Sequence, residues 1–239
     1  MAVQSTYAEN FDTGIVGDLV SGENFNALSR TVESSGGVGF GRPVWQGSAD
    51  RGCVKTRTPV AAGSEDAGNT GTGEITDAPA ATNAAKTGRY TVLLNATSAT
   101  GLFTVFDPDG LVVGTGNIAT EFVGGGLTFT WANGGTMTAG DKAYIDVTAP
   151  AFVGVTRRNP ALSPEDSDTY QQYAEAGIVD EAVINVQVEH AVTARAQAYW
   201  NPTAGKWSVD ATNDVKIPGA YFDAAGSTDE VVPLRLRAA

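Results

Sequence analysis

The stretch Ala182-Val183-Ile184-Asn185-Val186-Gln187-Val188-Glu189 sets Ala182, Ile184, Val186 and Val188 against Val183, Asn185, Gln187 and Glu189. A period of two places one apolar and one mixed set on opposite faces of an extended strand. A second run follows and ends Ala196-Gln197-Ala198-Tyr199-Trp200. Asn201-Pro202-Thr203-Ala204-Gly205-Lys206 then turns the chain and Trp207-Ser208-Val209 starts back. Pro and Gly in a short polar loop between apolar runs read as a hairpin. Trp200 and Trp207 are expected to face each other across it and to bury a large aromatic area. This part of the chain is a β scaffold, and nothing in it looks like a reaction centre.

Strand chemistry extends outward from there. Among 239 residues, 29 glycines combine with many Thr, Val and Ala, which favours strands joined by tight turns. Hydrophobic residues make up 42% and charged ones 18%, enough for a packed core. The length suits one large β domain or two ordinary ones. A formal net charge of −12 argues against nucleic acid and anionic membranes as partners, because both need clustered Lys and Arg. No apolar run approaches the roughly 18 residues of a membrane span. Met1 to Tyr7 lacks the basic-then-apolar order of a signal peptide. The single cysteine, Cys53, leaves no intrachain disulfide and fits synthesis in a reducing compartment.

Near the start, Phe11, Ile15, Val16, Leu19 and Val20 fall at helical spacing. They predict a short helix or an arm that orders on a partner, with Gly14 and Gly17 each opposing the helix by about 1 kcal/mol. Residues 28–33, 42–47 and 53–56 read as strands around the glycine-rich segment 34–41. Composition shifts at residue 62, and residues 62–87 have linker chemistry. Beyond it, Tyr90, Val92 and Leu94 share a face, as do Leu127, Phe129 and Trp131, and Ala143, Ile145 and Val147. Turn signals at Asp107-Pro108-Asp109-Gly110, 124–126, 133–135 and Gly140-Asp141 separate them, the spacing of a small sandwich or barrel. The expected fold is therefore all-β. Residues 1–61 plus 150–239 form a discontinuous barrel- or sandwich-like base, and residues 62–149 an inserted, Ig-like β-sandwich. After Pro150, residues 152–156 read as a strand leading to Arg157-Arg158, and Ser163-Pro164-Glu165-Asp166 as the start of a helical turn. Val232, Leu234 and Leu236 alternate with Pro233, Arg235 and Arg237, predicting a last strand that adds to the sheet or to a partner.

Candidate sites weigh against chemistry. Gly37-Val38-Gly39-Phe40-Gly41 imitates a phosphate loop, but Pro43 and a strand follow where a helix start is needed. Asp107-Pro108-Asp109-Gly110 resembles the front of a calcium loop, yet its twelfth position is Ile118 instead of a glutamate, so a β-turn is expected. A Cys53–His190 nucleophile pair lacks a helix start or basic cluster to activate the thiol, and His190 reads as structural. One His and one Cys give no zinc site, and the carboxylates show no pair placed across a cleft. No catalytic residue, cofactor or metal ligand is expected. Tyr7, Phe11, Trp45, Trp200 and Trp207 are aromatic anchor candidates, with the tryptophans better read as core. Arg157 and Arg158 make a basic spot that meets an acidic partner or caps a solvated loop.

The ordered series then becomes informative. Ala2-Val3-Gln4-Ser5-Thr6-Tyr7-Ala8-Glu9-Asn10 comes first, then Ser29-Arg30-Thr31-Val32-Glu33 and Gly39-Phe40-Gly41-Arg42-Pro43-Val44. Phe152-Val153-Gly154-Val155-Thr156, Ala198-Tyr199-Trp200-Asn201, Gly205-Lys206-Trp207 and Ile217-Pro218-Gly219-Ala220 follow. Residues 1–61 and 150–239 thereby resemble the structural cement, or capsid decoration, proteins of tailed bacteriophages. Gly68-Asn69-Thr70-Gly71-Thr72-Gly73, Gly88-Arg89-Tyr90-Thr91-Val92 and Phe106-Asp107-Pro108-Asp109-Gly110 are similar to add-on β domains of phage virion proteins. The resemblance implies a non-enzymatic homotrimer on the outer surface of the mature icosahedral head, over threefold and quasi-threefold positions. It would clamp the major capsid protein, and would be made in the host cytoplasm. The expected capsid and trimer contacts are Tyr7, Phe11, Ile15, Arg157, Arg158, Leu234 and Leu236. A second expectation is an adhesive or carbohydrate-binding module that meets host-surface glycans through the insert, with Tyr90 or Trp131 as platform. A third is a Cys–His enzyme with thiol-dependent turnover.

Overall fold

The computed structural model describes residues 14–20, 24–75, 78–162 and 168–237, and among these the chain forms strands and turns with no helix. The strands begin with β1 (Asn26–Val32), β2 (Val38–Gly39), β3 (Pro43–Gln46) and β4 (Gly52–Val54). Next come β5 (Val60–Glu65), β6 (Ala80–Ala81), β7 (Gly88–Leu94), β8 (Leu102–Phe106), β9 (Val112–Asn117), β10 (Glu121–Gly124), β11 (Leu127–Thr130) and β12 (Lys142–Thr148). The series ends with β13 (Phe152–Thr156), β14 (Thr169–Tyr170), β15 (Glu175–Gln187), β16 (Gln197–Asn201), β17 (Lys206–Ser208), β18 (Val215–Phe222) and β19 (Val231–Leu236). The fold is all-β, as the alternation predicts. Two compact units emerge: one gathers the chain up to Lys55 with Phe152–Val209 and Lys216–Ala239, the other Thr56–Ala151 with Asp210–Val215.

The first unit is built on β15. Its first half, Glu175 to Glu181, pairs with β1, and its second half, Ala182 to Gln187, pairs with β19. The sheet runs β1-β4-β3-β13-β15-β19-β18-β16-β17, and the added β1–β15 pairing closes its first five strands into a ring. At the other end, Val188 bridges Trp207 and Glu189 N–H donates to Trp207 O at 2.8 Å, which brings β17 back to the end of β15. Strands joined in a ring have few free edges. Val32, Val38, Phe40, Val44, Cys53, Tyr170, Ala176 and Ile178 form one core cluster, under the first ring. Because β15 serves both rings, its burial does not alternate cleanly: Ala182, Val183 and Ile184 are all buried in succession.

The hairpin has the expected form. Trp200 pairs with Trp207 between β16 and β17, ring centroids 5.7 Å apart and nearly edge-on, a geometry worth about 0.5–1.5 kcal/mol beyond area burial. The proposed helix around Ile15 is not formed in the described residues 14–20. That segment turns at Ile15 and then runs beside β15, with Leu19 bridging Ile184, Gly17 N–H donating to Asn185 O (2.8 Å) and Val20 N–H to Val183 O (2.9 Å). The glycines disfavour a helix, and a strand edge offers the backbone better partners. The turn expected at 163–166 lies outside the described residues.

The second unit packs the sheet β5-β12-β7-β8-β9 against β10-β11-β6. Tyr90, Val92, Leu94, Phe103, Ile145 and Val147 of the larger sheet share one core with Phe122, Leu127, Phe129 and Trp131 of the smaller. The segment read as linker does not stay free: β5 pairs with β12 from Val60–Thr148 to Glu65–Ala143. Its small residues suit an exposed edge strand. Asp141 then accepts hydrogen bonds from the backbone of Thr70 (2.9 Å) and Gly71 (2.9 Å).

Candidate interaction surface

The two members of the Cys–His pair stand in different surroundings, Cys53 buried and His190 exposed. Cys53 is fully buried, and burial, with Glu33 nearby, pushes its thiol up to about 11. Such a thiol carries almost no thiolate, the nucleophilic form, near neutral pH. His190, expected as a satisfied structural histidine, is exposed at the surface with its Nε2 3.7 Å from Glu189. The strand bends away after Gln187 and takes position 190 out of the core. Gly37 to Gly41 lead into β3 with no helix start, and Gly36, Gly37 and Gly41 have positive φ, which the turn requires. At the acidic turn, Asp107 Oδ1 accepts from Asp109 N–H (3.0 Å) and Leu111 N–H (2.9 Å), the expected side-chain-to-backbone turn. Lys86 pairs with both Asp107 and Asp109 and holds the Asp107 carboxyl below its usual range.

What the fold does assemble is a shoulder on the first unit, around Gly41. Gly41 N–H donates to Thr156 O at 2.8 Å, and Gly41 O accepts from the buried Trp207 Nε1 at 2.7 Å. A Cβ on Gly41 would lie 2.6 Å from Val16 Cγ1, so only glycine admits the segment 14–20 here. That segment is tied down on its other side: Arg158 N–H donates to Gly17 O at 2.7 Å, and the Arg158 guanidinium lies 3.5 Å from Asp18. Thr156, fully buried, donates its hydroxyl to Gly39 O at 2.7 Å and accepts from Arg42 N–H at 3.1 Å. These bonds present exposed Ile15, Arg42 and Arg157 beside half-buried Arg158. A small open cavity of about 70 Å³, lined by Val16, Phe40, Arg42, Gln187, Trp200 and Trp207, lies where the two rings meet.

Of the residues marked as contacts, the structure thus brings Ile15 and Arg158 onto one shoulder. Arg157 extends it, its backbone fixed by donation to Gly177 O at 2.9 Å and by the Tyr170 hydroxyl at 2.8 Å. Leu234 and Leu236 are elsewhere: both are buried in the core, and their strand β19 is paired on both sides, with β15 and β18. The last strand adds to the chain's own sheet. Tyr7 and Phe11 lie outside the described residues. Trp45, Trp200 and Trp207 are core residues. In the second unit Tyr90 and Trp131 are also buried, which leaves the carbohydrate platform without its named aromatics. The sequence reading did not single out Arg42 or Val16 as surface-site residues, because no spacing announces that residues 16, 42 and 207 meet.

A family profile described as Structural cement protein (E217 gp24/Pam3 gp6) matches residues 3–123 and 73–237 of the chain. No curated protein matches. Among solved structures, a chain of the capsid of Myoviridae phage XM1 is 12% identical, covering 99% of this chain and 98% of that one, with a TM-score of 0.45. FlgL of Xanthomonas campestris is 22% identical over 40% of this chain, with a TM-score of 0.31, and this chain spans 31% of its length.

Proposed function

Because the chain belongs to the phage structural cement protein family, and so has a structural role on the capsid, we propose that it decorates the outer surface of the mature head. In this reading it binds the major capsid protein, sits as homotrimers over threefold and quasi-threefold positions, and clamps neighbouring subunits without performing chemistry. The family match along nearly the whole chain carries the reading. The geometry supports it: the first unit closes its strands into rings and displays Ile15, Arg157 and Arg158 on one shoulder. Many weak contacts repeated around a closed shell act through avidity, so no single one need be strong. The net charge of −12 suits a surface that does not meet DNA. The second unit, Thr56–Ala151 with Asp210–Val215, carries the inserted β domain, and its Tyr90 and Trp131 are buried.

The test is binding to purified mature heads that lack this protein. The expected result is saturable binding with three copies per threefold position by cryo-microscopy, and a trimer mass by light scattering of the bound or free protein. Removal of residues 1–13 is expected to weaken binding while leaving the thermal melt unchanged. A longer cut to residue 20 should also lower stability, since residues 17–20 pair with β15. Heads that take up no protein would overturn the reading.

A further inference from the structure

We propose that the cavity between the two rings is a receptor for one carboxylate side chain, Asp or Glu, of the shell protein, and that Arg42 is the group that grips it. This rests on the capsid-binding reading above and names the chemistry of the contact.

Size decides the class of occupant. The cavity holds about 70 Å³. Pockets for free small molecules run to about 300 Å³ or more, whereas one water occupies about 30 Å³ of liquid. The space fits the tip of a single side chain delivered by another protein. It is open to solvent and lined by Val16, Phe40, Trp200 and Trp207, with Arg42 and Gln187 as its polar side chains.

Arg42 is placed for such a guest. Its Nε lies 2.9 Å from where a Cβ on Gly39 would stand, and its terminal nitrogens about 3.5 Å from a Cβ on Gly205. Gly39 has no positive φ, and the Arg42 side chain packs over its bare backbone. The Arg42 side chain therefore runs from beside Gly39 to beside the Gly205 turn, where it borders the cavity. Among the described residues it makes no ion pair, although the chain has 27 acidic residues for 15 basic ones. Other acids of the first unit have partners of their own: Asp229 pairs with Lys206 at 2.6 Å, Asp18 faces Arg158, and Glu189 accepts from Asn201 at 2.8 Å. A planar fork suits a carboxylate, which takes two parallel hydrogen bonds from it. A polyanion is disfavoured by the overall charge of −12.

The experiment titrates heads lacking this protein with the full chain and three variants. Arg42→Met and Arg42→Gln are expected to bind at least tenfold more weakly than wild type, with Arg42→Lys between them, and with melting and tryptophan emission unchanged. Carbodiimide treatment of the Arg42→Lys complex is expected to give a zero-length cross-link from position 42 to one carboxylate of the shell protein. Wild-type affinity in both neutral variants would overturn the assignment, as would a cross-link only to another copy of this chain. Loss of binding in a Trp200→Phe variant with Arg42→Met unaffected would also overturn it, showing an apolar guest. Absence of wild-type binding, by contrast, would remove the capsid reading itself.

Discussion

Gly41 concentrates what single residues do in this protein. Its φ of +65 favours glycine, its flank admits Val16, and its carbonyl takes the Trp207 indole proton. Trp207→Phe keeps most of the ring but leaves that buried carbonyl without its donor, at a cost of about 1–3 kcal/mol. Urea unfolding should show the loss as a lower midpoint with an unchanged slope, and an unmoved midpoint would count against the hydrogen bond. Trp207 was legible as a cross-strand partner of Trp200, because an alternating pattern and a Pro/Gly loop fix the register. Its bond to Gly41, 166 residues away in sequence, was not legible, because nothing local encodes it.

At the scale of elements, β15 shows how one strand can serve two cores by changing partners between Glu181 and Ala182. Alternation identified the strand, but the number of faces it buries depends on its neighbours, as Val183 demonstrates. The segment 14–20 failed as a helix for the same reason: its apolar spacing is real, and the open edge of β15 claims its backbone first. Turns and strand faces also carry the protein's response to acid. Asp107, Asp146 and Asp223 are held below the usual carboxylate range by hydrogen bonds from Lys86, Arg89 and Arg235, and Glu33 by the backbone N–H groups of Ala49 and Ser48. Their folded values lie below the unfolded ones of about 4. Their stabilisation is therefore complete above that pH and is lost as pH falls through the folded values. Glu65, raised by burial, acts the opposite way, and its contribution fades as pH rises through its raised value. With lowered carboxylates in the majority and each pair at least partly exposed, the melting temperature should fall modestly below about pH 4. A flat profile to pH 2.5 would contradict these contacts.

For the whole molecule, the decisive feature is how the second unit interrupts the first. Val54 and Phe152 pair with Trp45 from opposite sides of β3, so the chain leaves and re-enters the first unit two strand spacings apart, about 10 Å. On the other side, Val60 pairs with Thr148. We therefore place the main boundaries at Thr56 and Ala151, with Asp210–Val215 also counted in the second unit, and the alternative cut at 62 and 149 divides β5. Replacing residues 56–151 with a Gly-Ser bridge of about four residues spans that gap. The product should melt in one transition and bind heads within a fewfold of the full chain. Trp131→Ala in the full chain should lower only the second unit's calorimetric transition, by about 3–5 kcal/mol. A deletion product that folds but no longer binds would refute this division of labour.

By itself the sequence determined the all-β class, the strands and the tight turns, because period-two alternation and Gly, Pro, Asn and Asp chemistry act over a few residues. It also announced the family through an ordered series of short motifs. Only the tertiary structure decided that β15 joins two rings, that Leu234 and Leu236 face inward, that the residues after 62 form an edge strand, and that Val16, Arg42 and Trp207 share a cavity. Those outcomes are contacts between segments far apart in the chain, settled by which unpaired edge or apolar face is nearest once the strands have assembled.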